Sequence, residues 1–323
     1  MEVFAQDKES WFRRFLELPN GIPSHDTLSD VTGRLAPGVF AEAFECWTQQ
    51  AIPGLSGEQI CLAGKSLRGR RCQQGAVPLL TAYAAKARLV LAQQTVASKS
   101  NEITAIPAIL AALDLTGAVV TIDAMGCQKS IAEQIVKAKA DYVLALKENP
   151  PSLYQDVSLW LDSESEKGRL PIHETIDKDH GRLEIRRYSL SSQLDWLVQK
   201  PEWTGLQAVG RIESIRHVGD KVSQEYRYYL MSFTDLSRFT EVARSHWAIE
   251  NSQHWVLDVQ FAEDANRARK DASASNLALI RRMALNVLRH NDHAKRSIRT
   301  RKILASINDD LRFSLIFGIQ DPI

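Results

Sequence analysis

The sequence predicts an α/β protein whose mixed sheet is built in the order βββαβαβ, with a helical N-terminal region ahead of it and a β-rich insertion before a late helix. Three observations predict this. Three apolar runs, at 60–62, 77–83 and 89–96, follow one another with no helical pattern between them, which reads as a meander. Helical and apolar stretches then alternate: Ile103, Ile106, Ile109, Leu110 and Leu113 at helical spacing, a β-branched run at 117–122, Ile131, Ile135 and Val136, and a run at 142–146. No G-x-G-x-x-G occurs in the chain, so the dinucleotide-binding fingerprint of a doubly wound sheet is missing.

The elements follow in chain order. Trp11, Phe12, Phe15, Leu16 and Leu18 give a helical stripe that stops at Pro19-Asn20-Gly21. Ser24 and Asp26 are N-cap residues for a helix over 27–35, and Pro37 opens a third helix carrying Val39, Phe40, Phe44 and Trp47. Three short helices serve either as a packed cap or as a helix-turn-helix reader of DNA. Asn101 caps the helix after the meander. Pro150-Pro151 and the polar stretch 162–168 mark a boundary, after which 172–176, 183–190, 207–218 and 225–232 read as strands. Helix returns over 236–290. The expected organisation is thus 1–56 helical, 57–150 first part of the α/β core, 151–235 β-rich insertion, 236–290 the late core helices, and 291–323 a basic tail.

Composition bounds the function. The chain has 323 residues, 44% hydrophobic and 24% charged, with a net charge of +1. This fits a soluble globular protein of roughly two domains. It excludes disordered, collagen-like and disulfide-scaffold classes, and by itself counts against a nucleic-acid binder. Cys46, Cys61, Cys72 and Cys127 include no C-x-x-C pair, so they read as buried thiols of a reducing compartment. The N-terminus has no signal-peptide pattern, and no apolar run reaches the ~18–20 residues of a membrane span. A cytoplasmic, bacterial, nucleoid-associated protein without a membrane partner is expected.

The carboxylates are informative. Asp123 directly follows the buried run at 118–122, and ligand chemistry in α/β sheets gathers at the carboxyl ends of strands. His246, Glu250, His254 and Asp258 recur every four residues and would share one helix face, drifting by about 40° per step. Such a stripe suits a divalent cation or a phosphate backbone, or is an exposed polar face. H-E-x-x-H is absent.

The arrangement βββαβαβ is that of ribonuclease-H-like nucleases, and the motifs sharpen the likeness. Gly21-Ile22-Pro23-Ser24-His25-Asp26-Thr27, Gly64-Lys65-Ser66-Leu67-Arg68-Gly69, Asp123-Ala124-Met125-Gly126-Cys127-Gln128, His180-Gly181-Arg182, Arg244-Ser245-His246-Trp247-Ala248-Ile249-Glu250-Asn251, His254-Trp255-Val256-Leu257-Asp258-Val259 and Glu263-Asp264 stand in this order. Through them, over nearly its whole length, the chain resembles the DDE transposases of the H-repeat-associated insertion-sequence group. The resemblance implies a ribonuclease-H-like core, with Asp123 as the second catalytic Asp and Glu250 as the catalytic Glu. The first catalytic Asp maps onto position 63, which is Ala63. Lys147-Glu148-Asn149-Pro150 also departs from the family's Lys-Gly-Asn-Gln, and the chain begins late relative to the family.

The implied reaction is DNA strand cleavage and strand transfer at element ends, using two Mg²⁺ ions about 3.5–4 Å apart, with Mn²⁺ as a substitute. Asp123 and Glu250 are the expected metal ligands. Ala63 has no ligating atom, so the expected enzyme is inactive as written. The alternative is a repurposed, catalytically empty transposase acting as a DNA-binding regulator. A general ribonuclease-H-like nuclease and a metabolic α/β enzyme are the remaining readings. The expected partners are terminal inverted repeats and target DNA, bound by a homodimer. Expected DNA contacts are Lys65, Arg68, Arg70 and Arg71, with no acid among 64–71; His180, Arg182 and Arg186 in the insertion; Arg244, His246 and His254; and Arg281 and Arg282 at the head of a basic run through Arg289, Lys295, Arg296, Arg299, Arg301 and Lys302. Trp247 and Trp255 read as core packing or as stacking platforms.

Overall fold

The computed structural model describes residues 1–51, 54–67, 77–96, 102–147, 151–179, 181–290 and 296–318. The Asn101 cap, Cys72, Arg68, Arg70, Arg71, residues 148–150, His180 and Lys295 lie outside the described residues.

The chain opens with α1 (Glu2–Asp7) and α2 (Glu9–Phe12), followed by α3 (His25–Arg34) and α4 (Pro37–Ala51). The aromatic stripe is not one helix: α2 ends at Phe12, and Phe15, Leu16 and Leu18 follow in turn and coil, while Lys8 separates α1 from α2 ahead of it. Ser24 caps α3 as its sequence predicts, its hydroxyl accepting from the Thr27 N–H. Three strands form the meander: β1 (Gln59–Leu67), β2 (Val77–Ala84) and β3 (Leu89–Thr95). Then come α5 (Glu102–Ala111), β4 (Val119–Ile122), α6 (Lys129–Lys137) and β5 (Asp141–Leu146). The order β3-β2-β1-β4-β5, with β1, β4 and β5 parallel, is the ribonuclease-H-like mixed sheet.

Residues 151–235 differ from the expectation in two ways. They begin with a helix, α7 (Pro151–Glu166), before the strands β6 (Ile172–Asp179), β7 (Arg182–Ser191), β8 (Ala208–Val218) and β9 (Lys221–Met231). Those strands are also not a separate sheet: β9 pairs antiparallel with β5, giving one nine-stranded sheet ordered β3-β2-β1-β4-β5-β9-β8-β7-β6. The reason is chemical. The free edge of a short buried strand such as β5 needs hydrogen-bond partners, and Leu230 and Met231 at the end of β9 bring apolar side chains that bury with it.

The remaining helices are α8 (Leu236–Ile249), a π turn over Glu250–His254, α9 (Trp255–Phe261), α10 (Ser273–His290), α11 (Ile298–Ile307) and α12 (Asp309–Phe317). Strand alternation sorts the core into two layers. Ile60, Leu62, Val120 and Ile122 bury against Ile106 and Ile109 of α5, Ile131 and Ile135 of α6 and, further along, Val157 and Leu161 of α7. On the other face Cys61 meets Phe44 of α4, Ile249 of α8 and Leu279 of α10. Among the described cysteines, Cys61 and Cys127 are buried and Cys46 is exposed, against the expectation that all are buried. Burial pushes the Cys61 and Cys127 thiols up to about 12, which keeps them inert.

The basic tail is not a free tail. Its helices pack on the other end of the chain: the Trp11 indole N–H donates to the Asp309 carbonyl at 3.0 Å, Arg312 lies 4.0 Å over the Trp11 ring, and Phe15 meets Phe317 at 4.9 Å. Among the described residues no helix is long and apolar enough to cross a membrane. Trp11→Ala is expected to destabilise the protein by about 3 kcal/mol, the cost of emptying an aromatic site in a core. Urea denaturation checks it; an unchanged midpoint would show that the two termini are not packed together.

Candidate active site

Strand register brings position 63 to Asp123. Leu62 of β1 is level with Ile122 of β4, the last pair of the parallel ladder, so Ala63 and Asp123 follow on neighbouring chains where β4 ends, while β1 runs on against β2 to Leu67. Leu62 and Ile122 bury on the α5 side, so position 63 and Asp123 alternate onto the α8 side. Asp123 caps the turn Ala124–Gly126, its Oδ1 accepting from the Met125 N–H at 3.2 Å, and its side chain is exposed. Gly126 lets that turn fold back on the sheet, because a Cβ there would overlap Ile122 and Ile106.

Two bonds dock α8 over this end of the sheet. The Gln59 side chain of β1 donates to the Val242 carbonyl at 2.8 Å, and Thr121 Oγ1 lies 2.7 Å from His246 Nδ1. The last residue before the helix changes pitch is Ile249. Glu250 then opens the π turn, in which the Trp255 N–H donates to the Glu250 carbonyl. Single π turns inside α-helices recur at functional sites because the extra residue re-aims the side chains around it. Glu250 is exposed, and its carboxylate has no ion pair or hydrogen bond among the described residues.

The π turn also overturns the single stripe expected from four-residue spacing. His246 points back to Thr121, Glu250 opens to solvent, and Asp258 turns under the sheet to pair with Lys65. Ala63, Asp123, Glu250, His246 and His254 nevertheless line one cleft of about 590 Å³. Burial holds both histidines far below their ordinary value, at about 4, with Asp123 opposing the shift at His246 and Lys65 adding to it at His254. Both imidazoles are therefore neutral at pH 7, which removes His246 and His254 as cationic phosphate contacts. Since their folded-state values lie below the unfolded ~6.5, the unfolded chain binds more protons in between. Stability should be complete above pH 6.5 and fall as pH drops towards 4. His246→Gln should flatten part of that slope in acid titrations of the melting temperature.

Several expected DNA contacts sit inside the fold. The Lys65 ammonium is largely buried and pairs with Asp258 and, at 2.9 Å, with Glu263. Arg282 is fully buried and donates to Glu263 Oε1 at 2.7 Å and to the Ala278 carbonyl at 2.9 Å. Arg281 is half-buried and donates to the Phe261 carbonyl. Arg182 is exposed on β7, and Arg244 on α8 is exposed with an ion pair to Asp177 at 3.2 Å. Sequence reasoning passed over Lys147 and Arg227 on the opposite wall of the cleft. Lys147 extends from β5, and Arg227 of β9 stacks 4.5 Å from the Trp247 ring, with Arg186 of β7 at 5.1 Å from the same ring. Trp247 thus packs between two guanidinium groups, while Trp255 is exposed. The available signal was the position of Lys147 at the carboxyl end of a parallel strand, one residue after the apolar run.

Residues 63–287 match the sequence pattern of the transposase DDE domain, and residues 1–48 that of the DDE_Tnp_1-associated region. The chain belongs to the DDE transposase family. Among its relatives, the "H repeat-associated putative transposase YhhI" of Escherichia coli (strain K12) is 32% identical over 331 residues, covering 98% of this chain and 87% of that one. The "Putative transposase YncI" of Escherichia coli O157:H7 is 34% identical over 322 residues, covering 95% and 81%. An uncharacterized protein in the dhlA 3' region of Xanthobacter autotrophicus is 45% identical over 234 residues, covering 72% and 79%. A piggyBac transposase synaptic complex with hairpin DNA is a distant structural neighbour, with a TM-score of 0.36 and 8% identity, covering 83% of this chain and 59% of that one. The comparisons do not favour the regulator reading.

DDE transposases generally use divalent metal ions, and the residues present here do not fit a pair of them. Mg²⁺ takes hard oxygen ligands, and two ions need a carboxylate between them. Asp123 and Glu250 supply two carboxylates on one cleft, but the side chain between them on β1 is the methyl of Ala63. Among the described residues no group of three or more His, Cys, Asp or Glu is placed to hold a metal.

Proposed function

We propose that the protein is an insertion-sequence transposase that engages the terminal inverted repeats of its element and target DNA, as a homodimer, without cutting or joining them as written. The observation that carries this reading is the place of Ala63 beside Asp123, facing the helix of Glu250. Asp123 and Glu250 are the remaining catalytic carboxylates and the metal ligands of the active form, Mg²⁺ being the expected ion. Phosphate contacts fall to Lys147, Arg182, Arg227 and Arg244, exposed or at the cleft, and not to Lys65 and Arg282, whose charges are used within the fold. Lys147 and Arg227 line the cleft beside Asp123, Glu225 and Glu250, and Arg227 is ion-paired with Glu225 at 2.8 Å, so phosphates would meet local cations and not a uniformly basic surface.

The test is footprinting and nicking on labelled element ends in Mg²⁺, with the chain as written beside Ala63→Asp. Protection of the ends by both proteins, with nicking by the variant alone, is the expected result. Absence of protection by either protein would sink the reading.

A further inference from the structure

Away from the active cleft, α4, β3 and α10 enclose a second pocket of about 210 Å³. Glu45 lines it. This carboxylate is only 9% exposed, yet no ion pair or hydrogen bond to it is found among the described residues. Its oxygens are not sealed off but open into the pocket, so the acid is within reach of a ligand there. Glu42, one turn earlier on α4, brings a second carboxylate to the rim, and burial together with Glu42 holds the Glu45 carboxyl above its ordinary range. An independent feature points into the same space. Gln93 of β3 is 3% exposed and its Oε1 has no hydrogen-bond partner, although its amide nitrogen reaches the Ser275 carbonyl at 3.5 Å.

The buried part of the lining offers acceptors, a carboxylate and an unused amide oxygen, with a second carboxylate at the mouth; Gln94 and Thr95 line it nearer the surface. The two Asn276 amide protons are already taken by the Thr32 and Leu35 carbonyls, and the Ser275 hydroxyl by the Ala272 carbonyl, so these donors do not satisfy Glu45. What fits is a cation with several N–H donors. The volume is several times that of a bare ion, and a planar donor fork matches a carboxylate with an adjacent amide oxygen.

We propose that the pocket between α4, β3 and α10 is a binding site for a guanidinium cation, held by Glu45 and Gln93 with Glu42 at its mouth. The site lies outside the cleft of Asp123 and Glu250, and its occupancy does not depend on the chemistry of position 63. Because α4 belongs to the N-terminal region while β3 and α10 belong to the core, an occupied pocket ties the two together.

The test is calorimetric titration of the full chain with agmatine, a free guanidinium, and separately with N-acetyl-arginine amide, a peptide-borne one. Choline, a cation without N–H donors, and sodium chloride at matched ionic strength serve as controls. The expected result is saturable binding of at least one guanidinium probe and none of choline, at least tenfold weaker binding in Glu45→Gln, and weaker binding in Gln93→Leu. Glu45→Gln keeps the side-chain shape and removes a buried charge, so its melting temperature should equal or exceed that of the parent, which separates lost binding from lost folding. Heats matching those of sodium chloride, equal binding of choline, or unchanged affinity in Glu45→Gln would each overturn the proposal.

Discussion

Ala63→Asp is expected to convert a protein that holds DNA ends into one that nicks them in Mg²⁺, with a rate gain on the order of 10²–10³-fold. The magnitude follows from the role of the missing group. Charge stabilisation by a correctly held metal is worth several kcal/mol of transition-state energy, and each 1.36 kcal/mol is tenfold in rate. The structure makes the substitution local. Position 63 is partly buried in the middle of β1, just past its parallel ladder with β4, and lines the same cleft as Asp123 and Glu250. The β1–β4 register that sets the spacing to Asp123 consists of backbone hydrogen bonds and is indifferent to the side chain. Adding Asp123→Asn or Glu250→Gln to the restored variant should abolish nicking while leaving end protection in place. A restored protein that protects its ends but does not nick them would show that more than one group of the site has been lost.

The second large effect concerns stability. Arg282→Met is expected to destabilise the protein by about 3–5 kcal/mol, since the buried Glu263 carboxylate is then left with Lys65, a cation it shares with Asp258. Arg282 and Glu263 are both fully buried, and Lys65 reaches the same carboxylate from β1. Burial alone would push the Glu263 carboxyl up, but Arg282 and then Lys65 outweigh it and hold it below its ordinary range. Glu263 therefore contributes stability above its unfolded value that is lost as pH falls through the lower folded value. Pairing Arg282→Met with Glu263→Gln should recover much of the loss, because no uncompensated charge then remains. Equilibrium urea unfolding of the parent, both single variants and the double variant provides the cycle. Additive losses would show that the two groups are not coupled. Lys65→Met should weaken the tie of β1 to α9 in the same way, by less, because Asp258 stays partly exposed.

Much of the architecture was legible locally. Apolar runs separated by turns marked β1 to β5, and Ser24 and Pro37 marked helix starts, because each signal is contained within a few residues. The first helical stripe was less legible, since the helix ends at Phe12 although the aromatic spacing runs on through Phe15. The junction of β9 with β5 was not legible either: it joins residues more than 80 apart in the chain, and nothing in either strand names its partner. The π turn was hidden for a different reason. Its sequence reads at α-helical spacing, and its partners are distant in the chain: Tyr83 of β2 reaches the Ser252 hydroxyl, and Arg289 of α10 donates to the Ser252 carbonyl.

Sequence alone determined the family and the order of the core strands β1 to β5, because motifs and residue identities are properties of the chain itself. It also showed that a net charge of +1 conceals clustered bases. Tertiary structure decided what those bases do. Lys65 and Arg282 are far apart in the chain, yet they converge on Glu263, where desolvation makes pairing with a carboxylate obligatory. Lys147 and Arg227 are brought to the cleft by β5 and β9. Whether a cation serves the core or a ligand depends on its burial, and burial is a property of the packed molecule.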